Sequence, residues 1–149
     1  MKVGITGANG FLGSNLSKFL KKKNFKVREI QRKYQINTFR LNTINSCTNW
    51  DEALQDIDIL IHCAGNAHKV NLPRNKELIN AIDILNTNLL GTINLTKSCI
   101  KNGVKKIIFI SSIKVLGEHN KVNIPFSNIT PTNPQDIYSW SKLEAENSI

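Results

Sequence analysis

Apolar residues in this chain alternate between short continuous runs and longer stretches in which they recur every three or four positions. Residues 2–6, Lys-Val-Gly-Ile-Thr, are the first short run and read as a strand. Residues 11–23 then place Phe11, Leu12, Leu16, Phe19 and Leu20 on one helical face, with Asn24 as the stop. Residues 25–30 read as a second strand. Residues 31–50 are polar and carry little periodicity; Phe39-Arg40-Leu41 is a candidate third strand, and residues 50–54 suggest a short helix. Residues 57–64, Ile-Asp-Ile-Leu-Ile-His-Cys-Ala, form a nearly unbroken apolar run, as expected of a parallel strand covered on both faces. Residues 66–75 read as a loop containing Pro73. A long helical pattern follows over 76–101, marked by Leu78, Ile82, Leu85, Leu89, Ile93, Leu95 and Ile100, and Asn102-Gly103 ends it. Residues 106–111 read as another buried strand, 117–135 as a loop rich in Pro and Asn, and 136–149 as a helix.

Strands that alternate with helices from end to end predict parallel strands joined by right-handed crossovers, hence a doubly wound α/β sheet of Rossmann-like type. A length of 149 residues accommodates one core. The 20 basic and 11 acidic residues give a net charge of +9, which raises the question of nucleic acid or anionic membrane as a partner. The distribution argues against both. Lys18, Lys21, Lys22 and Lys23 crowd the end of the first predicted helix, where cations suit the helix dipole. The other basic residues are scattered, without the interleaved aromatics of a single-strand binder. No apolar run approaches membrane-spanning length. Cys47, Cys63 and Cys99 are odd in number and form no C-x-x-C pair, which disfavours a disulfide framework or a zinc site. Met1-Lys2 leads directly into the first strand, without the apolar region of a signal peptide. A cytoplasmic location is the expectation.

The first chemistry-bearing segment is Thr6-Gly7-Ala8-Asn9-Gly10-Phe11-Leu12-Gly13, lying between a predicted strand and a predicted helix. Spaced glycines there permit a tight turn, let backbone amides approach phosphates, and allow the helix to lie close on the sheet. A pyrophosphate would then sit at the helix N-terminus, where unpaired N–H groups and the dipole favour an anion. The spacing departs from G-x-G-x-x-G by one extra residue between the first two glycines. At the end of the second strand, Glu29 falls too early to hold an adenosine ribose. Arg32 and Lys33 stand where a 2′-phosphate would lie, inclining the choice between NAD and NADP toward NADP.

Tyr138 and Lys142 are four residues apart and share one face of the last predicted helix. A phenol is a weak base at neutral pH, and a neighbouring ammonium favours its phenolate. Ser111-Ser112 ends the strand before that helix, at the edge of the sheet where open α/β sheets bind ligands. A hydroxyl there can hydrogen-bond a substrate oxygen as charge develops on it. His62, His68 and His119 lack metal-ligand spacing, and His62 reads as a satisfied core residue. Trp140 reads as a packing residue.

Five segments in order carry a resemblance: residues 6–13, His62-Cys63-Ala64, Asn88-Leu-Leu-Gly-Thr92, Ser111-Ser-Ile-Lys-Val-Leu-Gly-Glu118, and Tyr138-x-x-x-Lys142. Together they resemble the extended short-chain dehydrogenase/reductase family in its NAD-dependent epimerase/dehydratase branch. The last two are similar to those of bacterial nucleotide-sugar 4-epimerases and 4-keto-sugar reductases of surface-polysaccharide pathways. The resemblance implies hydride transfer at a sugar C4 on a nucleotide sugar, UDP-linked by expectation. It gives Ser112 a hydrogen-bonding role, Tyr138 the role of acid/base, and Lys142 that of lowering the phenol's pKa and holding the nicotinamide ribose. Gly7, Asn9, Gly10, Phe11, Leu12 and Gly13 would hold the dinucleotide, Ala64 and Gly65 would run along it, and Asn88, near the active site, and Tyr138 would also contact it. Asn42 or Thr43 stands where the family often has an adenine-binding Asp. Ile113-Lys114 replaces the Asp-Glu pair of the 4,6-dehydratases, so dehydration ranks low. Family members continue beyond the position of Ile149. The expectation is therefore a dinucleotide-binding domain over 1–149, incomplete at its C-terminal end and lacking the final strands and substrate domain. Its alternative function is an NAD(P)-binding module without independent catalysis. A homodimer is compatible with the resemblance.

Overall fold

The computed structural model describes residues 1–33, 35–67, 73–120 and 124–149. His68, and part of each loop expected over 66–75 and 117–135, lie outside them. Five strands form one parallel sheet: β1 (Lys2–Thr6), β2 (Lys26–Gln31), β3 (Thr38–Arg40), β4 (Ile59–His62) and β5 (Lys106–Phe109), in the spatial order β3-β2-β1-β4-β5. The helices are α1 (Phe11–Lys22), α2 (Asp51–Leu54), α3 (Arg74–Ile84), α4 (Gly91–Lys101) and α5 (Ile137–Asn147). The chain leaves β1 in one direction to β2 and β3, then returns to place β4 on its other side. The doubly wound expectation is borne out, and the order reverses between β1 and β4.

The run at residues 57–64 is central because it is apolar on both faces. Leu60 belongs to a core cluster with Ile30, Trp50, Leu54, Leu95 and Cys99, beneath α2 and α4. Its neighbour Ile61 joins Val3, Ile5 and Ala8 on the opposite face, where Leu16 and Leu20 of α1 pack. Period-two alternation along a strand puts successive side chains into different layers. Asn24, with φ 61°, and Gly103, with φ 70°, take left-handed conformations at the ends of α1 and α4, as expected of stop residues.

Four expectations require correction. On α1, Phe11 is 90% exposed, and Leu12 and Phe19 are also exposed; the buried residues are Gly13 and Ser17. The packing stripe is thus Gly13, Leu16, Ser17 and Leu20, because small residues let the helix settle on the sheet. The helix over 76–101 is not uniformly α: a π segment, Leu85–Leu90, joins α3 to α4, and Leu78, Ile82 and Ile100 point outward. Finally, β5 is an edge strand rather than a buried one, with Ile108 38% exposed. Trp140, read as a packing residue, is 42% exposed.

Candidate functional site

The turn after β1 is built from glycine geometry. Gly7 has φ 66°, and a Cβ there would lie 2.8 Å from the backbone N of Ala64. The β1 and β4 ends therefore close together only because residue 7 has no side chain. A Cβ on Gly13 would overlap the carbonyl of Gly7 and come within 2.9 Å of its carbon, so α1 lies directly on the turn. Gly10 differs: among the described residues, the only neighbour of a Cβ there within 4 Å would be the Gly7 oxygen, at 3.2 Å. It faces open space and forms the N-cap of α1, with no side-chain cap and no acidic residue in the first turn. That leaves an uncapped helix N-terminus free for an anion.

Beside it opens a cleft of about 440 Å³, lined among others by Gly7, Asn9, Gly10, Gln31, Arg32, Asn42, Thr43, Cys63, Ala64 and Gly65. Of the residues expected to hold a dinucleotide, Gly7, Asn9, Gly10, Arg32, Ala64 and Gly65 thus share one wall system. Phe11, Leu12, Gly13 and Asn88 do not line it. Glu29 is held away from the cleft. Its carboxylate accepts hydrogen bonds from Ser17 Oγ and from Lys21 Nζ at 2.7 Å. Burial opposes its ionisation, but these two donors outweigh burial and keep its pKa below the ordinary value.

Sequence reasoning missed Gln31, the Ile44-Asn45 stretch, Asp83, Asn86 and Thr87, which also line the cleft. The 42–48 loop reaches it because Asn94 of α4 donates from Nδ2 to the carbonyls of Asn45, at 3.1 Å, and Thr48, at 2.8 Å. A polar loop carries no periodicity to reveal such a placement.

Asn88 lies within the π segment and is almost fully buried. Its Oδ1 accepts from the Asn66 amide at 2.7 Å, while its Nδ2 donates to the Asn66 carbonyl at 3.0 Å and to Ser141 Oγ at 3.1 Å. A single side chain therefore ties the cleft-lining loop after β4 to α5, and its role in the geometry is to fix these elements. A π turn widens the helix where this bond is needed. Ser141 Oγ in turn donates to the Tyr138 carbonyl at 2.7 Å.

Lys142 is only 4% exposed. Its Nζ sits 3.9 Å from the centre of the Phe109 ring, at the end of β5. Phe109 stacks on His62, with ring centres 5.8 Å apart. Burial lowers the Lys142 pKa to about 8, with Glu146 and Cys63 acting in the opposite sense. Phe109 ends β5 and pairs in register with His62 at the end of β4, so this ammonium stands at the ends of those two strands. Ser112 caps the 3-10 turn Ile113–Leu116, its Oγ accepting from the Lys114 amide at 3.3 Å. Ser112, Tyr138 and Lys142 are not among the residues lining the 440 Å³ cleft. Among the described residues, no group of three or more His, Cys, Asp or Glu could hold a metal ion. No helix among them is long and apolar enough to cross a membrane.

His62 is a satisfied core residue, as its sequence context suggests. Its Nδ1 pairs with Thr6 Oγ1 at 2.6 Å and its Nε2 with Thr92 Oγ1 at 3.2 Å. Burial, helped by the Lys142 charge, lowers its pKa to about 3. An unfolded His takes up its proton near pH 6.5, while the folded chain refuses it down to about 3. The unfolded state therefore binds more protons in this window, and stability falls as pH drops below 6.5. Denaturant unfolding between pH 7 and 5 should show a loss approaching about 1.4 kcal/mol per pH unit. His62→Gln should flatten that slope; an unchanged slope in the variant would assign it to other groups.

The description NAD dependent epimerase/dehydratase family matches residues 3–149. Among curated proteins, the chain is 36% identical over 150 residues to a UDP-glucose 4-epimerase of Vibrio cholerae, covering 97% of this chain and 45% of that protein. Among solved structures, MoeE5 in complex with UDP-glucose and NAD aligns with a TM-score of 0.80 at 26% identity, covering 99% of this chain and 48% of that one. The Thermus thermophilus UDP-glucose 4-epimerase complex with NAD shares the fold, with a TM-score of 0.82 at 20% identity over 99% of this chain and 49% of its own. The chain thus spans about half the length of the relatives it matches.

Proposed function

Because the chain belongs to the NAD-dependent epimerase/dehydratase family, we propose that it is the dinucleotide-binding part of a nucleotide-sugar 4-epimerase or 4-keto-sugar reductase acting on a UDP-linked sugar. The observation that carries this reading is the shared cleft of Gly7, Gly10, Ala64 and Gly65 at an uncapped helix N-terminus, with the buried Lys142 ammonium at the neighbouring strand ends. Gly10 fits the group: its missing Cβ leaves the space through which backbone N–H groups meet a pyrophosphate. When bound, the nicotinamide supplies hydride acceptance and return at the sugar C4.

The chain's residues supply the rest. Tyr138 exchanges the proton of the 4-hydroxyl. Lys142 places a positive charge on the same helical face and favours the phenolate. With its pKa near 8, the ammonium is charged at neutral pH. Ser112 Oγ hydrogen-bonds the reacting oxygen, and Asn88 holds α5 to the cleft wall.

At the adenosine end the residues favour the 2′-phosphate form. Arg32 lines the cleft, and Glu29 is engaged by Ser17 and Lys21. NADPH should bind about tenfold more tightly than NADH, and Arg32→Ala should erase the difference. Calorimetric titration of both cofactors into both chains checks this, and a preference for NADH in the parent reverses the assignment.

The overall reading is tested by titrating NAD(H) and NADP(H), then assaying interconversion of UDP-glucose and UDP-galactose and reduction of UDP-4-keto sugars. Failure of every dinucleotide to bind overturns it. Binding without conversion assigns the chain to a dinucleotide-binding module without independent catalysis.

A further inference from the structure

Lys114 touches both halves of the reacting constellation. Through its backbone N–H it donates to Ser112 Oγ at 3.3 Å, fixing the turn that presents that hydroxyl. Through its ammonium it donates to Asp136 Oδ2 at 2.7 Å. Asp136 is the N-cap of α5, the helix that carries Tyr138 and Lys142. Its Oδ1 accepts from the Ser139 amide at 2.6 Å and from Ser139 Oγ at 2.8 Å, while its own amide donates to Ser139 Oγ at 3.1 Å. This reciprocal capping box sets where α5 begins and hence the direction in which position 138 projects. The two carboxylate oxygens are divided between jobs, one for the helix and one for Lys114. Glu118 adds a second anchor, with its Oε1 2.8 Å from Lys114 Nζ. The cluster is partly buried, where an ion pair is less screened than on open surface.

We infer that Lys114 is a positioning residue that clamps the Ser112 turn to the first turn of α5, so that the serine hydroxyl and the Tyr138 phenol are held in one arrangement. The inference rests on the function proposed above for its catalytic consequence, but not for the clamp itself. Burial works against the Asp136 carboxylate, yet Lys114 and Ser139 hold its pKa at about 2, so the clamp stays charged across the physiological range. Position 114 is one of those at which this chain departs from the dehydratase pattern. The ammonium there does structural work that no carboxylate could do opposite Asp136.

The test uses the 149-residue chain and its Lys114→Met, Lys114→Arg and Asp136→Asn variants, with residue-resolved amide exchange. Lys114→Met should speed exchange at Ser139 and Trp140 about fivefold while Ile5 in β1 is unchanged. Lys114→Arg should restore both amides to within about twofold of the parent, since a guanidinium can span the same pair. Asp136→Asn keeps a capping side chain but removes the charge, and should speed exchange of the Lys114 amide; it serves if Lys114→Met does not fold. Unchanged exchange at Ser139, an equal rise at Ile5, or failure of Lys114→Arg to rescue each overturns the clamp. Where the UDP-sugar assay gives turnover, Lys114→Met should lower kcat about tenfold with KM and dinucleotide affinity nearly unchanged. A fall in dinucleotide affinity instead would place Lys114 in binding and overturn its positioning role. If the parent binds no dinucleotide, the proposed function fails, and amide exchange still decides the clamp.

Discussion

A Gly10→Val chain should fold like its parent and bind a nicotinamide dinucleotide roughly a hundredfold or more weakly, about 3 kcal/mol. The two parts of this expectation come from one environment. Among the described residues, a Cβ at position 10 meets only the Gly7 oxygen within 4 Å, at 3.2 Å, so a few tenths of an ångström of movement accommodates it. The rest of the valine then fills the space before the α1 N-terminus, where the proposed cofactor's phosphate oxygens would reach backbone N–H groups. Gly13→Val provides the contrast. There the new Cβ meets the Gly7 carbonyl carbon at 2.9 Å and Ala8 Cα at 3.0 Å, both backbone atoms that cannot rotate aside. That variant should lose about 1–3 kcal/mol of stability, and any loss of binding will follow from displacement of the helix. Denaturant midpoints beside cofactor titrations separate the cases. A Gly10→Val chain that binds as its parent does would remove the phosphate cradle from the reading, whatever the fate of Gly13→Val.

Tyr138→Phe should lower turnover of a nucleotide sugar by about 10²–10⁴ while dinucleotide affinity moves little. The hydroxyl is the only group removed, and among the described residues none of the hydrogen bonds that fix α5 uses it. Those run through the Tyr138 carbonyl to Ser141, through Ser141 to Asn88, and through Asp136 to Ser139. A chain with its helix intact and its phenol missing isolates proton transfer from architecture. Steady-state rates with parallel cofactor titration make the measurement. Retained turnover would dismiss this phenol as the acid/base and send the search to Lys142 or Ser112. Lys142→Met would be a poorer probe, because its ammonium is buried over Phe109 and its loss repacks the strand ends.

The sequence was most legible where a physical demand leaves a periodic or chemically specific trace. The run at 57–64 announced a central strand because Ile59, Leu60 and Ile61 in succession suit a strand covered on both faces. The glycine turn was legible because its geometry excludes a side chain at Gly7 and Gly13. The α1 packing stripe was not, since its contacts are made by Gly13 and Ser17, which hydrophobic periodicity ignores in favour of Phe11 and Phe19. The cleft was half visible. Gly7, Asn9, Gly10, Arg32, Ala64 and Gly65 gather along it, but Gln31, Ile44, Asn45, Asp83, Asn86 and Thr87 come from segments whose spacing says nothing of where they fold. The long helix concealed its π segment, because Leu85 and Leu89 fit an α stripe as well as a widened turn. Asn88 was assigned to the ligand by motif position alone; in the fold it spends its amide on Asn66 and Ser141. The Lys114–Asp136 bond joins residues 22 positions apart and leaves no local pattern.

The π segment at Leu85–Leu90 has a further consequence. Such a segment is geometrically an α-helix carrying one surplus residue. Shortening it by one amino acid would let the backbone relax to ordinary pitch with the flanking α3 and α4 still in phase, so Leu95 and Cys99 would keep their seats in the core. What would vanish is the outward swell that lets Asn88 reach two partners at once. The scaffold and its anchoring joint are thus separable by a single-codon deletion.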